Sequence, residues 1–72
     1  MTAQEMFEKL GYKKYTSNLW FEWYQNEEDV EITFYLTTKT VCTSLDNLPL
    51  EITIPLLKAI NQQCKELGWL DD

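Results

Sequence analysis

Five carboxylates crowd between positions 22 and 31 of this chain: Glu22, Glu27, Glu28, Asp29 and Glu31. Paired carboxylates can do general acid–base work, but only in a pocket that shifts one of their pKa values. A chain of 72 residues has little volume for such a pocket. The other routes to catalysis are thinner still. There is no His, so the commonest general base and the Ser–His and Cys–His nucleophile pairs are missing. Both glycines are spent ending helices, which leaves no loop to cradle a phosphate. Cys42 and Cys64 form no C-x-x-C, and without His they complete no zinc site. In a reducing compartment they stay thiols, one on a strand and one on a helix, and are expected as small buried or half-buried groups. The expectation is a protein that is not an enzyme and carries no cofactor or metal.

The acidic cluster has two other uses. It can be a solvated turn whose charges keep a hairpin edge from aggregating, or it can imitate phosphates, as an inhibitor of a DNA-acting or host-defence enzyme would. Twelve acidic residues against six lysines, with no Arg, set the net charge at −6. Binding a phosphate backbone requires clustered cations, and Lys13-Lys14 is the sole basic pair. Direct nucleic-acid binding is therefore not expected.

The other concentrated chemistry is aromatic. LWFEWYQ, residues 19–25, holds four of the ten rings. Such rings are either core or a surface for something else to bind.

The elements that position them follow from the pattern. Thr2 and Glu5 have the spacing of a capping box, and Ala3, Met6, Phe7 and Leu10 fall at helical spacing before Gly11, predicting a helix over Ala3 to Leu10. A second helix starts after Thr53 with Pro55 in its first turn. Its apolar stripe is Leu56, Leu57, Ile60, Cys64 and Leu67; Lys58, Asn61, Gln62, Lys65 and Glu66 face water, and Gly68 ends it. Between the helices, strands are predicted at 12–16, 19–25, 30–36 and 40–45, with turns at Ser17-Asn18 and QNEED and the last strand at an edge. The result is a single α+β domain over residues 1–72, a two-layer α-β-β-β-β-α chain whose antiparallel sheet packs against two helices.

Val30, Ile32, Phe34 and Leu36 alternate with polar partners and are expected to face inward. A four-residue turn at 26–29 would set Gln25 opposite Val30, Trp23 opposite Ile32, Phe21 opposite Phe34 and Leu19 opposite Leu36. That register sends Trp20, Glu22 and Tyr24 to the other face, beside Tyr35, Thr33 and Glu31. The face could be covered by a helix or hold cross-strand pairs that stiffen the hairpin. Alternatively Trp20, Tyr24 and Tyr35, rimmed by Glu22 and Glu31, form a protein interface, with self or with another chain. A base-stacking platform would lack the basic groove that accompanies such rings.

The two ends, MTAQEMFEKLGY and ITIPLLKAINQQCKELGWLDD, resemble small accessory proteins carried by phages, prophages and mobile elements of low-GC Gram-positive bacteria. Those begin with an EMF-x-x-LGY-like helix and end with an LKAIN-x-Q-x-x-ELGW-like one. Pro55 stands where an acidic residue would be expected. The resemblance carries over no functional residues; it implies a context, inside an infected bacterial cell.

No apolar run is long enough to span a bilayer, and the N-terminus shows no secretory pattern. The chain is therefore expected to be cytoplasmic, and its function to be protein binding, with phosphate imitation as the alternative.

Overall fold

The computed structural model describes residues 1–44 and 50–70, with the backbone alone at 16 and 17. Helix α1 (Ala3–Lys9) leads into strands β1 (Lys13–Ser17), β2 (Phe21–Gln25), β3 (Glu31–Tyr35) and β4 (Thr40–Ser44), and helix α2 (Ile54–Glu66) follows. The strands lie in the order β1-β2-β3-β4, every neighbour antiparallel, so the sheet is a simple meander. The α+β architecture with both helices packed together on the sheet is the one the sequence predicts. Strand β4 is at an edge, as expected; Leu45, Asp71 and Asp72 lie outside the described residues.

Local chemistry explains where the helices begin and end. The Thr2 side chain accepts from the Glu5 N–H, and the Glu5 carboxylate accepts from the Thr2 N–H at 2.9 Å, closing the capping box. The Thr2 N–H and, at 3.1 Å, the Thr2 hydroxyl both donate to the Glu5 carboxylate and hold it below its ordinary pKa. At the other end Gly11 sits at φ 89°, a left-handed conformation that costs glycine nothing. The N–H of Tyr12 bonds to the Phe7 carbonyl and that of Gly11 to the Glu8 carbonyl, a Schellman ending. Helix α2 repeats the device, with Thr53 as its N-cap, Gly68 at φ 77° and Trp69 bonded back to Cys64.

The inward stripe of α2 differs from the expected one. Leu56, Ala59 and Gln63 are buried, with Ile60, Cys64 and Leu67 half-buried beside them, while Leu57 is exposed. Glu66 does not simply face water: its carboxylate accepts from the N–H of Ala3 at 2.8 Å and ties the start of α1 to the end of α2.

The register of the central hairpin is one residue away from the expected one. Gln25 pairs with Glu31, Tyr24 with Ile32, Trp23 with Thr33, Glu22 with Phe34 and Phe21 with Tyr35. The cause is the turn. The N–H of Asn26 bonds to the Val30 carbonyl and that of Asp29 to the Asn26 carbonyl, so the loop proper is Glu27-Glu28-Asp29. Asp29 takes φ 63°, the left-handed position where glycine is usual in a three-residue hairpin loop. The Asn26 side-chain oxygen accepts from the N–H groups of Glu28 and Val30 and fixes the loop from within. Because side chains alternate with a period of two, this single step exchanges the faces of β2.

The core accordingly holds Tyr24, not Trp23. Its ring is fully buried and stacks on Phe7 at 4.0 Å between centroids, with Phe34 edge-on to both. Tyr12, Val30, Ile32, Leu56 and Ala59 complete the cluster. Val30, Ile32 and Phe34 face inward as expected; Leu19, expected in the core, is 85% exposed in the first turn.

Candidate functional site

Both helices cover the same face of the sheet, the one bearing Glu22, Tyr24, Ile32 and Phe34. Neither helix covers the opposite face, which is open among the described residues. Across it run Lys13, Gln25, Glu31 and Ser44 in one row, Tyr15, Trp23, Thr33 and Cys42 in the next, and Phe21, Tyr35 and Thr40 in the third. Four of these residues are aromatic. Tyr15 lies flat on Trp23, with ring centroids 5.0 Å apart and planes 17° from parallel. Phe21 and Tyr35, directly opposite one another, are 6.4 Å apart and tilted. These are the cross-strand ring pairs that stiffen antiparallel sheets, and neither helix packs on their outer side. Tyr15 and Tyr35 are exposed; Phe21 and Trp23 are half-buried by their neighbours.

The five residues expected to form an interface are divided by this geometry. Tyr35, 41% exposed, and half-buried Glu31 do lie on the open face. Trp20 is 66% exposed but stands before β2, in the turn where the Asn18 side chain accepts from the N–H groups of Trp20 and Phe21. Tyr24 and Glu22 belong to the covered face, and this corrects the expectation for both: the three-residue loop turns them inward with Ile32 and Phe34. The expected set missed Tyr15, Phe21 and Trp23. The available signal was the pair Asn26 and Asp29, since these two residue types are the ones that adopt loop-stabilising side-chain bonds and left-handed backbone.

The polar groups turned inward are satisfied. Glu22, only 8% exposed, pairs with Lys14 at 2.8 Å. The Tyr24 hydroxyl donates to the Gln63 side-chain oxygen at 2.5 Å. Burial first, then the carboxylates of Glu22, Glu66 and Glu8, push the Tyr24 phenol well above its ordinary pKa. Tyr12 is raised for the same leading reason, with Glu28 the charge nearby. No buried polar side-chain atom among the described residues lacks a partner.

The acidic cluster is dispersed by the fold. Glu22 is under the helices with its lysine, whereas Glu27, Glu28 and Asp29 ring the hairpin loop in solvent. A groove of about 320 Å³ runs beside them, lined by Leu10, Gly11, Asn26, Glu27 and Glu28, and a more apolar one of about 300 Å³ lies among Met1, Met6, Lys9, Leu10, Pro55 and Lys58. Neither contains a nucleophile beside a base. Cys42 is exposed on the open face rather than buried, because the edge strand has a neighbour on one side only; Cys64 is half-buried, as expected, and burial pushes its thiol pKa up. Among the described residues no group of His, Cys, Asp or Glu is placed to hold a metal ion, and no helix is long and apolar enough to cross a membrane.

Comparison of the chain with protein-family models, with curated proteins and with solved structures gave no match.

Proposed function

We propose that this protein is a non-enzymatic interaction module that binds another protein through the open face of its sheet. Tyr15, Phe21, Trp23 and Tyr35 are the contact rings, and Lys13 and Glu31 supply a polar rim. The observation that carries the reading is the placement of these four rings opposite both helices. Large rings held on a rigid sheet lose little conformational freedom on binding, which is why Tyr and Trp anchor protein interfaces. A sheet of four five-residue strands presents roughly 19 × 16 Å, or about 300 Å². A standard stable interface covers about 800 Å² per partner, so this contact belongs to the weak, transient class.

Phosphate imitation is less well supported, because pairing with Lys14 takes Glu22 out of the cluster and leaves three loop carboxylates and half-buried Glu31. The resemblance of the chain's two ends to accessory proteins of phages and mobile elements supports the cytoplasm of a low-GC Gram-positive bacterium as the setting.

The test is affinity capture from such a lysate with the full chain as bait. A partner retained in high salt and lost from a folded Tyr35→Glu bait supports the reading, since apolar contacts survive screening. A partner released by salt, indifferent to Tyr35→Glu and lost from an E27Q/E28Q bait would replace it with phosphate imitation.

A further inference from the structure

The two edges of the sheet are built differently. Strand β1 is broken by a bulge between Lys14 and Ser17 and carries Lys13 and Lys14, two devices that discourage edge pairing. Strand β4 has neither. Thr40, Val41, Cys42, Thr43 and Ser44 pair with β3 in unbroken register and include no charge, no proline and no bulge. Its outer edge has no backbone partner among the described residues.

The direction of its free groups can be derived. The bonds from Asn26 to Val30 and from Leu36 to Trp20 mark 26:30 and 20:36 as hydrogen-bonded pairs between the hairpin strands. Bonded and non-bonded pairs alternate along an antiparallel ladder, so Ile32 and Phe34 bond toward β2, and Glu31, Thr33 and Tyr35 bond toward β4. Their partners Ser44, Cys42 and Thr40 therefore spend their N–H and C=O groups on β3. Val41 and Thr43 aim theirs outward.

We infer that β4 pairs with β4 of a second copy, antiparallel about a two-fold axis through Cys42, joining two sheets into one. In this register Val41 of each copy exchanges both hydrogen bonds with Thr43 of the other, so every outward group of the strand interior finds a complement. It is the one register about a strand residue that keeps all the paired positions within residues 40–44. Charge favours a second copy here above other places: two chains of net charge −6 repel, and β4 is a strand on which neither presents a charged side chain. On the covered side, half-buried Val41 lies opposite Phe34, against which Trp69 packs, so pairing would extend the apolar layer across the seam. The open aromatic faces would lie side by side and double the surface available to a partner, although the pairing does not depend on that use.

The test is sedimentation equilibrium of the reduced full chain, from micromolar to near-millimolar, with Thr43→Pro alongside. The Thr43 N–H points away from β3, so proline there removes an outward donor and leaves the ladder to β3 intact. A dimer in the wild type and a folded monomer in T43P is the expected result. Disulfide formation keeps the proposal testable if T43P does not fold. Opposed Cys42 residues in a non-bonded pair have Cα atoms about 4.5 Å apart, inside the roughly 4.4–6.8 Å range for a disulfide. Diamide, which takes two electrons and two protons from a pair of thiols, should cross-link wild type on the order of tenfold faster than random collision allows, and should not cross-link C42S. A monomer at every concentration, a dimer unchanged in folded T43P, or Cys42 cross-linking no faster than collision would each overturn the pairing.

Discussion

Tyr24 and Gln63 are joined in the interior by a hydrogen bond from the phenol to the amide oxygen, and both side chains are buried. The bond connects Tyr24, next to the end of β2, to Gln63 in the C-terminal half of α2, a polar tie between sheet and helix. Tyr24→Phe keeps the ring against Phe7 but leaves a buried acceptor unpaired. It should cost about 1–3 kcal/mol, or roughly 4–8 °C in Tm for each kcal/mol in a domain of this size. Thermal unfolding followed by circular dichroism measures it.

The same phenol makes stability depend on alkaline pH. Its folded pKa lies above the unfolded value of about 10, so it contributes stability that is complete below that pH and is lost as pH rises beyond it. Tyr12 adds in the same direction. Urea midpoints of the wild type should fall above about pH 10, and the gap between wild type and Y24F should narrow there. A gap that stays constant would place the Tyr24 hydroxyl in solvent.

The hairpin register has its own test. Tyr24→Ala removes a ring from the core and should cost about 3–5 kcal/mol, enough to unfold a chain this small. Trp23→Ala removes a larger ring from the open face and should cost roughly 1–2 kcal/mol, mostly the stack on Tyr15. The reverse order would restore the register in which Trp23 faces inward.

Lys14→Met leaves the Glu22 carboxylate nearly buried and unpaired. Since Lys14 itself is partly open to water, the cost should be about 1–2 kcal/mol, below that of a fully buried pair. A K14M/E22Q chain should recover part of the loss in the same denaturation experiment.

Asp29 holds a left-handed backbone that glycine adopts without penalty. Asp29→Gly should therefore raise stability by up to about 1 kcal/mol, less the loss of its bond from Gln25. Asp29→Val should lower it by more, and a register that shifts in D29V would appear as changed fluorescence of Trp23.

The helix ends were legible in the sequence because their causes are local. Thr2 with Glu5, Thr53 with Pro55, and the EKLGY and KELGW endings need no distant partner to act. The strands and the edge position of the last were legible for a similar reason: alternation and turn residues mark them, and the meander order came from the structure. The register was not. With Trp23 and Tyr24 adjacent, both alignments put an aromatic ring beside Ile32, so apolar matching could not separate them. What separates them is polar and distant. Glu22 can turn inward because Lys14 reaches it from β1, and Tyr24 can because Gln63 awaits it on α2. The loop is marked locally only by Asn26 and Asp29, without the glycine usual at that left-handed position. Tyr24 and Glu22, two of the five residues expected at the interface, were put on the wrong face by that one-residue step, while Tyr35 and Glu31, on the strand whose alternation was unambiguous, lie on the open face as expected.

Photo-cross-linking is the most direct test of the open face as a binding surface. A benzophenone amino acid would replace Tyr35 in one chain and Leu57, exposed on the helical side, in another. Both chains would be irradiated in a low-GC Gram-positive lysate. The account predicts a discrete cross-linked protein from position 35 that is absent from position 57 and competed away by unlabelled wild type but not by folded Trp23→Ala. Cross-links from position 57 alone, or competition undiminished by Trp23→Ala, would contradict it.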